Sequence, residues 1–296
     1  MTLSTVRNRR RKRLGGALIL TASFFTVEVI GAFLANSLAL LADAAHMGTD
    51  VGALVLAYAA MKLADRSPTK KYTFGLYRAE ILAAFVNAQI LLMISAYILY
   101  EAFRRVGDPP EIGTRIMIWV ATAGLIANMF SLRLLHAGRA ESLNTRAAYL
   151  EVLTDTLGSL AVIGSGIAIR MTGWLWLDPV VSAGIGLFIL PRTISILRQG
   201  AHILLEGAPV NIDQGSLRGR VLAVPGVAAL HDLHVWMLTS GLNAASVHVT
   251  VAVPGSTESI RDAIRRILRE SAGVDHATIE VEVQGGLPCP MEGEHP

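Results

Sequence analysis

Along the first two thirds of the chain, apolar residues come in long runs broken by short polar links; in the last third they alternate with polar residues or recur at helical spacing. Six runs, at 14–35, 38–64, 79–102, 113–135, 147–170 and 174–197, are long enough for a helix to cross a bilayer core, which takes ~20 mostly apolar residues. The links are turn signals: Asn36-Ser37, Ser67-Pro68, Asp108-Pro109-Pro110, Gly138 to Asn144 and Thr172-Gly173. The two shortest predict hairpins, the first run with the second and the fifth with the sixth. From about residue 207 the pattern predicts a helix at 213–223 opened by Pro209 and Asp213 and strands at 227–237 and 245–253. A helix at 257–271 capped by Ser256 and a strand at 276–283 complete the set. The order α-β-β-α-β with short links is a small two-layer α+β unit. The expected organisation is thus a basic start (1–13), a six-helix transmembrane domain (14–206) and a soluble cytoplasmic domain (207–296).

Composition supports a membrane protein. Of 296 residues 52% are hydrophobic and 17% charged, and the mean hydropathy is +0.49, outside the range of disordered chains. The net charge of +3 is small, so its distribution matters more. Arg7, Arg9, Arg10, Arg11, Lys12 and Arg13 precede the first run. With Lys62, Arg66, Lys70, Lys71 and Arg78, then Arg133, Arg139 and Arg146, then Arg198, they fall on one side of the membrane, against Arg104, Arg105, Arg115 and Arg170 on the other. By the positive-inside rule both ends are cytoplasmic, in the inner (plasma) membrane of a cell. The first apolar run is longer than the ~7–15 residues of a signal peptide and a second follows at once, which favours a retained span. The single cysteine, Cys289, excludes a disulfide framework within the chain.

Ionisable residues inside spans are costly, ~2.5–3.5 kcal/mol each near the bilayer centre, and mark sites by default. The second run carries Asp43, His46 and Asp50; the fifth carries Glu151 and Asp155. His46 with Asp50, and Glu151 with Asp155, are four apart, so each pair shares a helix face, ~40° apart in projection and ~6 Å along the axis. Facing each other, the two pairs offer one nitrogen and three carboxylates, donors that suit tetrahedral Zn²⁺ and are acceptable to Co²⁺ or Cd²⁺. A His-x-x-x-Asp pair alone reads equally as a packed hydrogen-bonded pair; two such pairs in separate spans point to a shared cation or proton site. Asp43 either orients His46 or lines a wet vestibule. Glu28, Asn87, Gln89 and Asn128 also stand in spans, the amides as interhelical hydrogen bonds, and Asp178 before Pro179 reads as a cap on its own helix. In the last third, His231 and His234 fall on opposite strand faces by simple alternation, so at most one shares a site with His248.

The stretches NSLALLADAAHMGTD, YTFGLYRAEILAAFVNA, YLEVLTDTLGS and HDLHVW, in that order over roughly residues 14–290, resemble the cation diffusion facilitator family of divalent-metal exporters, in particular its bacterial cobalt–zinc–cadmium resistance branch. The resemblance implies a six-span homodimer with a cytoplasmic ferredoxin-like C-terminal domain that binds metal and helps hold the dimer, and exchange of metal for protons. It implies transport ligands at His46, Asp50, Glu151 and Asp155, and a C-terminal metal set at His231, His248, His276 and Glu282 with Cys289 in the tail. Zn²⁺, Cd²⁺ or Co²⁺ is then both transported and regulatory ion, with no prosthetic group. Two departures stand out. Many zinc-carrying relatives have His where this chain has Glu151, and the loop site of some members is not expected, because Tyr72 and Leu76 occupy its positions. His295 is expected to take no part.

Metal ligands must be deprotonated, so loading releases protons and acidity expels the ion. Three carboxylates around Zn²⁺ leave a formal charge of −1, whereas the empty set at −3 is too costly in a low-dielectric setting and takes up protons. An imidazole, which titrates near ~6.5 in water, is within reach of external pH. Alternating exposure of such a site couples proton entry to metal exit. An intramembrane enzyme would need an open metal position and a general base, as in His-Glu-x-x-His helices, and no such motif occurs. A membrane-anchored metal sensor, binding metal in its C-terminal domain and moving none, is the alternative. Nucleic acid is not an expected partner, since Glu258, Asp262 and Glu270 interleave the arginines of the 257–271 helix.

Overall fold

The computed structural model describes residues 3–63, 69–136, 143–251 and 257–283. These fall into two compact units, Met1–Arg66 with Ala83–Leu197, and Ser67–Leu82 with Arg198–Pro296. The long helices are α1 (Leu3–Ala35), α2 (Leu38–Leu63), α3 (Tyr77–Gly107), α4 (Thr114–His136), α5 (Leu143–Thr172) and α6 (Leu177–Leu204), and all six are long and apolar enough to cross a membrane. The first helix continues back through the basic run to Leu3, because Arg and Lys are good helix formers and no Gly or Pro interrupts it before Gly15.

In the first unit α1, α2, α4 and α5 pack closely through small residues. Ala32, Ala35, Ala39, Ala121 and Val162 join Leu40 and Met117 in one buried cluster, and a Cβ on Gly31 would lie 2.8 Å from Val120 Cγ2. The opposite face of α2 meets α3 and α6 in a second cluster of Leu38, Ala42, Ala45, Leu91, Ile98, Ala102 and Ile189. The α1–α2 hairpin forms as expected, its corner made by Asn36 at φ 50°. The turn from α5 into α6 is also tight, with Gly173 at φ 74°. Yet these helices are not in direct backbone packing along their length as α1 and α2 are, and a cavity opens between them.

Asp178 departs from the sequence expectation. It stands in the first turn of α6, but its carboxylate caps α2, accepting from Ser37 Oγ (2.6 Å), Leu38 N (2.8 Å) and Ala39 N (3.2 Å). The first N–H groups of α2 have no acceptor within their own helix. The anionic side chain satisfies them where the helix dipole favours negative charge.

In the second unit α7 (Gln214–Leu222), β1 (Val227–Thr239), β2 (Leu242–Val251), α8 (Thr257–Ala272) and β3 (Val274–Val283) follow in the predicted order. Asp213 caps α7, accepting from Gly215 N and Ser216 N; Ser256 lies outside the described residues. β2 is central, antiparallel to β1 and parallel to β3. The hairpin is tighter than the alternation suggested, because Gly241 at φ 81° permits a two-residue link. α7 and α8 cover one face of the sheet, with Leu217, Val221, Ile260, Ile264 and Leu268 against Val235, Ala245, Val247, Val249 and Val251. The alternating positions of β2, Ser246, His248 and Thr250, face the other way. The same unit holds a cavity of about 920 Å³ whose lining includes Tyr72, Phe74, Leu76, His234 and Trp236.

Candidate functional site

Helical spacing on α2 and α5 brings three of the four candidate side chains in the first unit together. One donor atom each from His46, Asp50 and Asp155 can be chosen so that all lie within 4.8 Å of one another. His46 Nε2 stands 2.8 Å from Asp155 Oδ1, but the two atoms lack the alignment of a hydrogen bond. Both, and His46 Nδ1, are buried with no hydrogen-bond partner among the described residues. Buried polar atoms are almost always satisfied, so this is a convergence of unspent donors. Tetrahedral Zn²⁺ would hold such donors about 3.4 Å apart at its usual bond lengths, a spacing between the 2.8 Å of the His46–Asp155 contact and the 4.8 Å limit for the three. The Thr49 hydroxyl donates to the His46 carbonyl.

Glu151, the fourth candidate, lies one turn from Asp155 and points elsewhere. Its Oε1 is 2.5 Å from Arg192 Nη2 of α6. The sequence reading passed over Arg192, although it sits within the sixth apolar run directly after Pro191 and an arginine at such a position is itself a signal. Asp43 turns to α5, accepting a 3.4 Å hydrogen bond from Ser159 Oγ, and a Cβ on Gly158 would come within 3.1 Å of its Oδ1. Glu28 is 1% exposed, and its Oε2 has no hydrogen-bond partner among the described residues.

Two cavities flank the cluster. One of about 410 Å³ runs toward the start of α2 and α6 and the end of α5, lined by Asp43, His46, Asp155, Gly158, Val181 and Phe188 among others. The other, about 100 Å³, runs toward the end of α2 and α6 and the start of α3, with Asp50, Thr49, Asn87 and Arg192 in its wall. His46 and Ile189 line both. Asn87, in the wall of the smaller one, packs against Gly52, where a Cβ would lie 2.5 Å from its Nδ2.

The second unit carries a separate cluster on the sheet face that the helices leave open. His231 pairs directly with His248 across the β1–β2 ladder, their rings 5.4 Å apart at 77°. Glu282 on β3 approaches both, 3.3 Å from His231 Nε2 and 3.4 Å from His248 Nδ1; Glu280 is 3.4 Å from His248 Nε2. His231 Nε2 and His248 Nδ1 are again buried without a hydrogen-bond partner among the described residues, and one donor atom each from His231, His248 and Glu282 lie within 4.8 Å of one another. Simple alternation put His231 and His234 on opposite faces; the structure puts them on one. His231 opposes His248 while His234 opposes Ser246, so β1 spends one extra residue, a bulge at Asp232 with φ 49°. His276 is opposite Ala244 with its ring edge-on to Phe74 at 5.4 Å, apart from the other three. Cys289 and His295 lie outside the described residues.

Comparison with known proteins gives a consistent result. Residues 16–205 match the cation efflux transmembrane domain family, and residues 209–284 match the cation efflux protein cytoplasmic domain family. The chain is 46% identical over 275 residues, 92% of its length and 86% of the relative's, to the metal cation efflux system protein CzcD of Cupriavidus metallidurans. It is 42% identical over 280 residues (94% and 88%) to the zinc transporter ZitB of Escherichia coli. To the cadmium, cobalt and zinc/H(+)-K(+) antiporter of Bacillus subtilis it is 38% identical over 272 residues (90% and 88%).

Proposed function

Since the chain belongs to the cation diffusion facilitator, or cation efflux, family of divalent-metal transporters, we propose that it exports Zn²⁺, with Cd²⁺ and Co²⁺ as further cargo, in exchange for protons. It does so as a homodimer in the inner membrane with both ends of the chain in the cytoplasm. The observation that carries the reading is the convergence of His46, Asp50 and Asp155 between two cavities, with buried atoms of His46 and Asp155 that have no hydrogen-bond partner among the described residues. The printed names of the relatives, which include zinc, cadmium, cobalt and proton exchange, support the same cargo.

The ion enters through the smaller cavity, is held by the imidazole and two carboxylates with Glu151 as fourth donor, and leaves through the larger one. Metal and protons compete for the same atoms. Metal bound on the cytoplasmic side releases protons there, and protons arriving from outside expel the metal. Arg192 alters the expected charge. Two acids of the cluster and a Glu151 matched by a guanidinium leave a formal −2, which a divalent ion cancels; the set without Arg192 would remain at −1 when loaded. The second cluster, His231, His248 and Glu282, is read as a cytoplasmic regulatory metal site, with His276 and Cys289 as the further donors that the family resemblance adds.

The test is proteoliposome flux of Zn²⁺, Cd²⁺, Co²⁺ and Mn²⁺ under an imposed pH difference. Asp50→Ala or Asp155→Ala is expected to abolish metal-driven proton movement while leaving the protein dimeric on gel filtration; wild-type exchange in either variant would reject the assignment. A membrane-anchored sensor would bind metal at the second cluster and show no flux in any of these vesicles.

A further inference from the structure

We propose that Arg192 is a tethered cation that stands in for the cargo at Glu151: an incoming metal ion has to displace its guanidinium, and its return drives the ion off again. The inference rests on the reading of His46, Asp50, Glu151 and Asp155 as the transport site.

Four observations carry it. Arg192 Nη2 is 2.5 Å from Glu151 Oε1, an ion pair between α6 and α5. Glu151 precedes Asp155 by four residues on α5, so its carboxylate stands on the helix face of a cluster member. Arg192 also lines the same small cavity as His46 and Asp50, and no other lysine or arginine among the described residues lines either cavity that meets His46. Finally, a guanidinium within a spanning helix is expensive unless it is matched, and it cannot shed its charge.

Glu151 therefore has two alternative partners of like sign. With no metal it is held by Arg192, so the acidic cluster is spared one unpaired charge. When a divalent ion is bound, the ion pair opens, one carboxylate oxygen coordinates the ion, and the guanidinium turns into the cavity. The reverse exchange weakens the ion's hold at the moment of release. Affinity is lowered and turnover raised by the same residue, which a group that merely braces α6 against α5 would not do.

The experiment measures Cd²⁺ binding to the full-length protein in detergent by calorimetry and Zn²⁺ flux in proteoliposomes. R192Q is expected to bind Cd²⁺ about tenfold more tightly, in line with the coupling of close charge pairs, with KM and kcat both lowered. R192K, which keeps the charge but loses the planar fork, should fall between wild type and R192Q, and it carries the test if R192Q does not fold. In an E151Q background R192Q should change affinity less than about twofold, the loss of coupling that a double-mutant cycle reads. Unchanged affinity in both single variants, or the same tightening with and without Glu151, would overturn the tether. His46→Ala separates this from the underlying reading. If it removes one binding event while the Arg192 variants behave as wild type, only the tether fails; if it leaves the isotherm unaltered, the transport site and the tether fail together.

Discussion

Asp178 has no exposed surface, and three donors at the start of α2 surround its carboxylate. Replacing it by alanine leaves two backbone N–H groups and a hydroxyl unmatched in a buried corner. Each unsatisfied donor costs ~1–3 kcal/mol, so with three of them Asp178→Ala should lower stability by at least about 3 kcal/mol, read as a fall in the thermal unfolding midpoint in detergent. Asp178→Asn keeps one acceptor oxygen and should lose less than half as much. At this scale the sequence revealed the candidates and concealed their partners. Asp43, His46, Asp50, Glu151 and Asp155 were legible because a charge in an apolar run is costly wherever it points. That Asp178 serves another helix, or that Glu151 turns to Arg192, depends on which helices adjoin, and helical periodicity within one run carries no record of that.

Among the elements, β1 shows how one residue redirects a site. The bulge at Asp232 brings His231 opposite His248 and leaves His234 on the same face. Its positive φ suits aspartate and disfavours branched side chains. Asp232→Val is expected to cost about 1–2 kcal/mol through the left-handed conformation alone and to weaken metal binding at His231, His248 and Glu282, whereas Asp232→Gly should be tolerated. Cd²⁺ titration of the full-length protein, followed with a denaturant melt, checks both. Because metal and protons compete for imidazole nitrogen and carboxylate oxygen, occupancy of this cluster should fall steadily as pH is lowered. Strand positions were legible from alternation, since Ser246, His248 and Thr250 interleave with Val247, Val249 and Val251. The bulge was not, because strict alternation counts every residue and a bulge skips one. The divergence of α5 from α6 was hidden likewise: a four-residue link fixes where two helices meet and not the angle at which they part.

At the scale of the whole molecule, the span count and the change of character near residue 207 were read from the runs, and the cytoplasmic ends proposed above rest on charge bias. Cys289 offers a direct check on orientation, being the one cysteine of the chain. A membrane-impermeant maleimide should label it in inside-out vesicles and not in intact spheroplasts. The cavities belong to this scale too, since they arise where helices from both ends of the sequence fail to close. His46 and Ile189 form the shared wall between them. Ile189→Ala should thin that wall and raise metal-independent proton leak several-fold, measured with a trapped pH dye after an acid pulse; a leak equal to wild type would mean that other side chains seal it.

A wall so thin has an electrical consequence. With water in both cavities, the resting membrane potential would drop mainly around His46 and Ile189, which line both. An ion crossing there feels nearly the full drop, roughly 4–5 kcal/mol per 100 mV for a dication. Outward movement against an interior-negative potential is then opposed by about half that amount if one proton returns, and is electrically silent if two do.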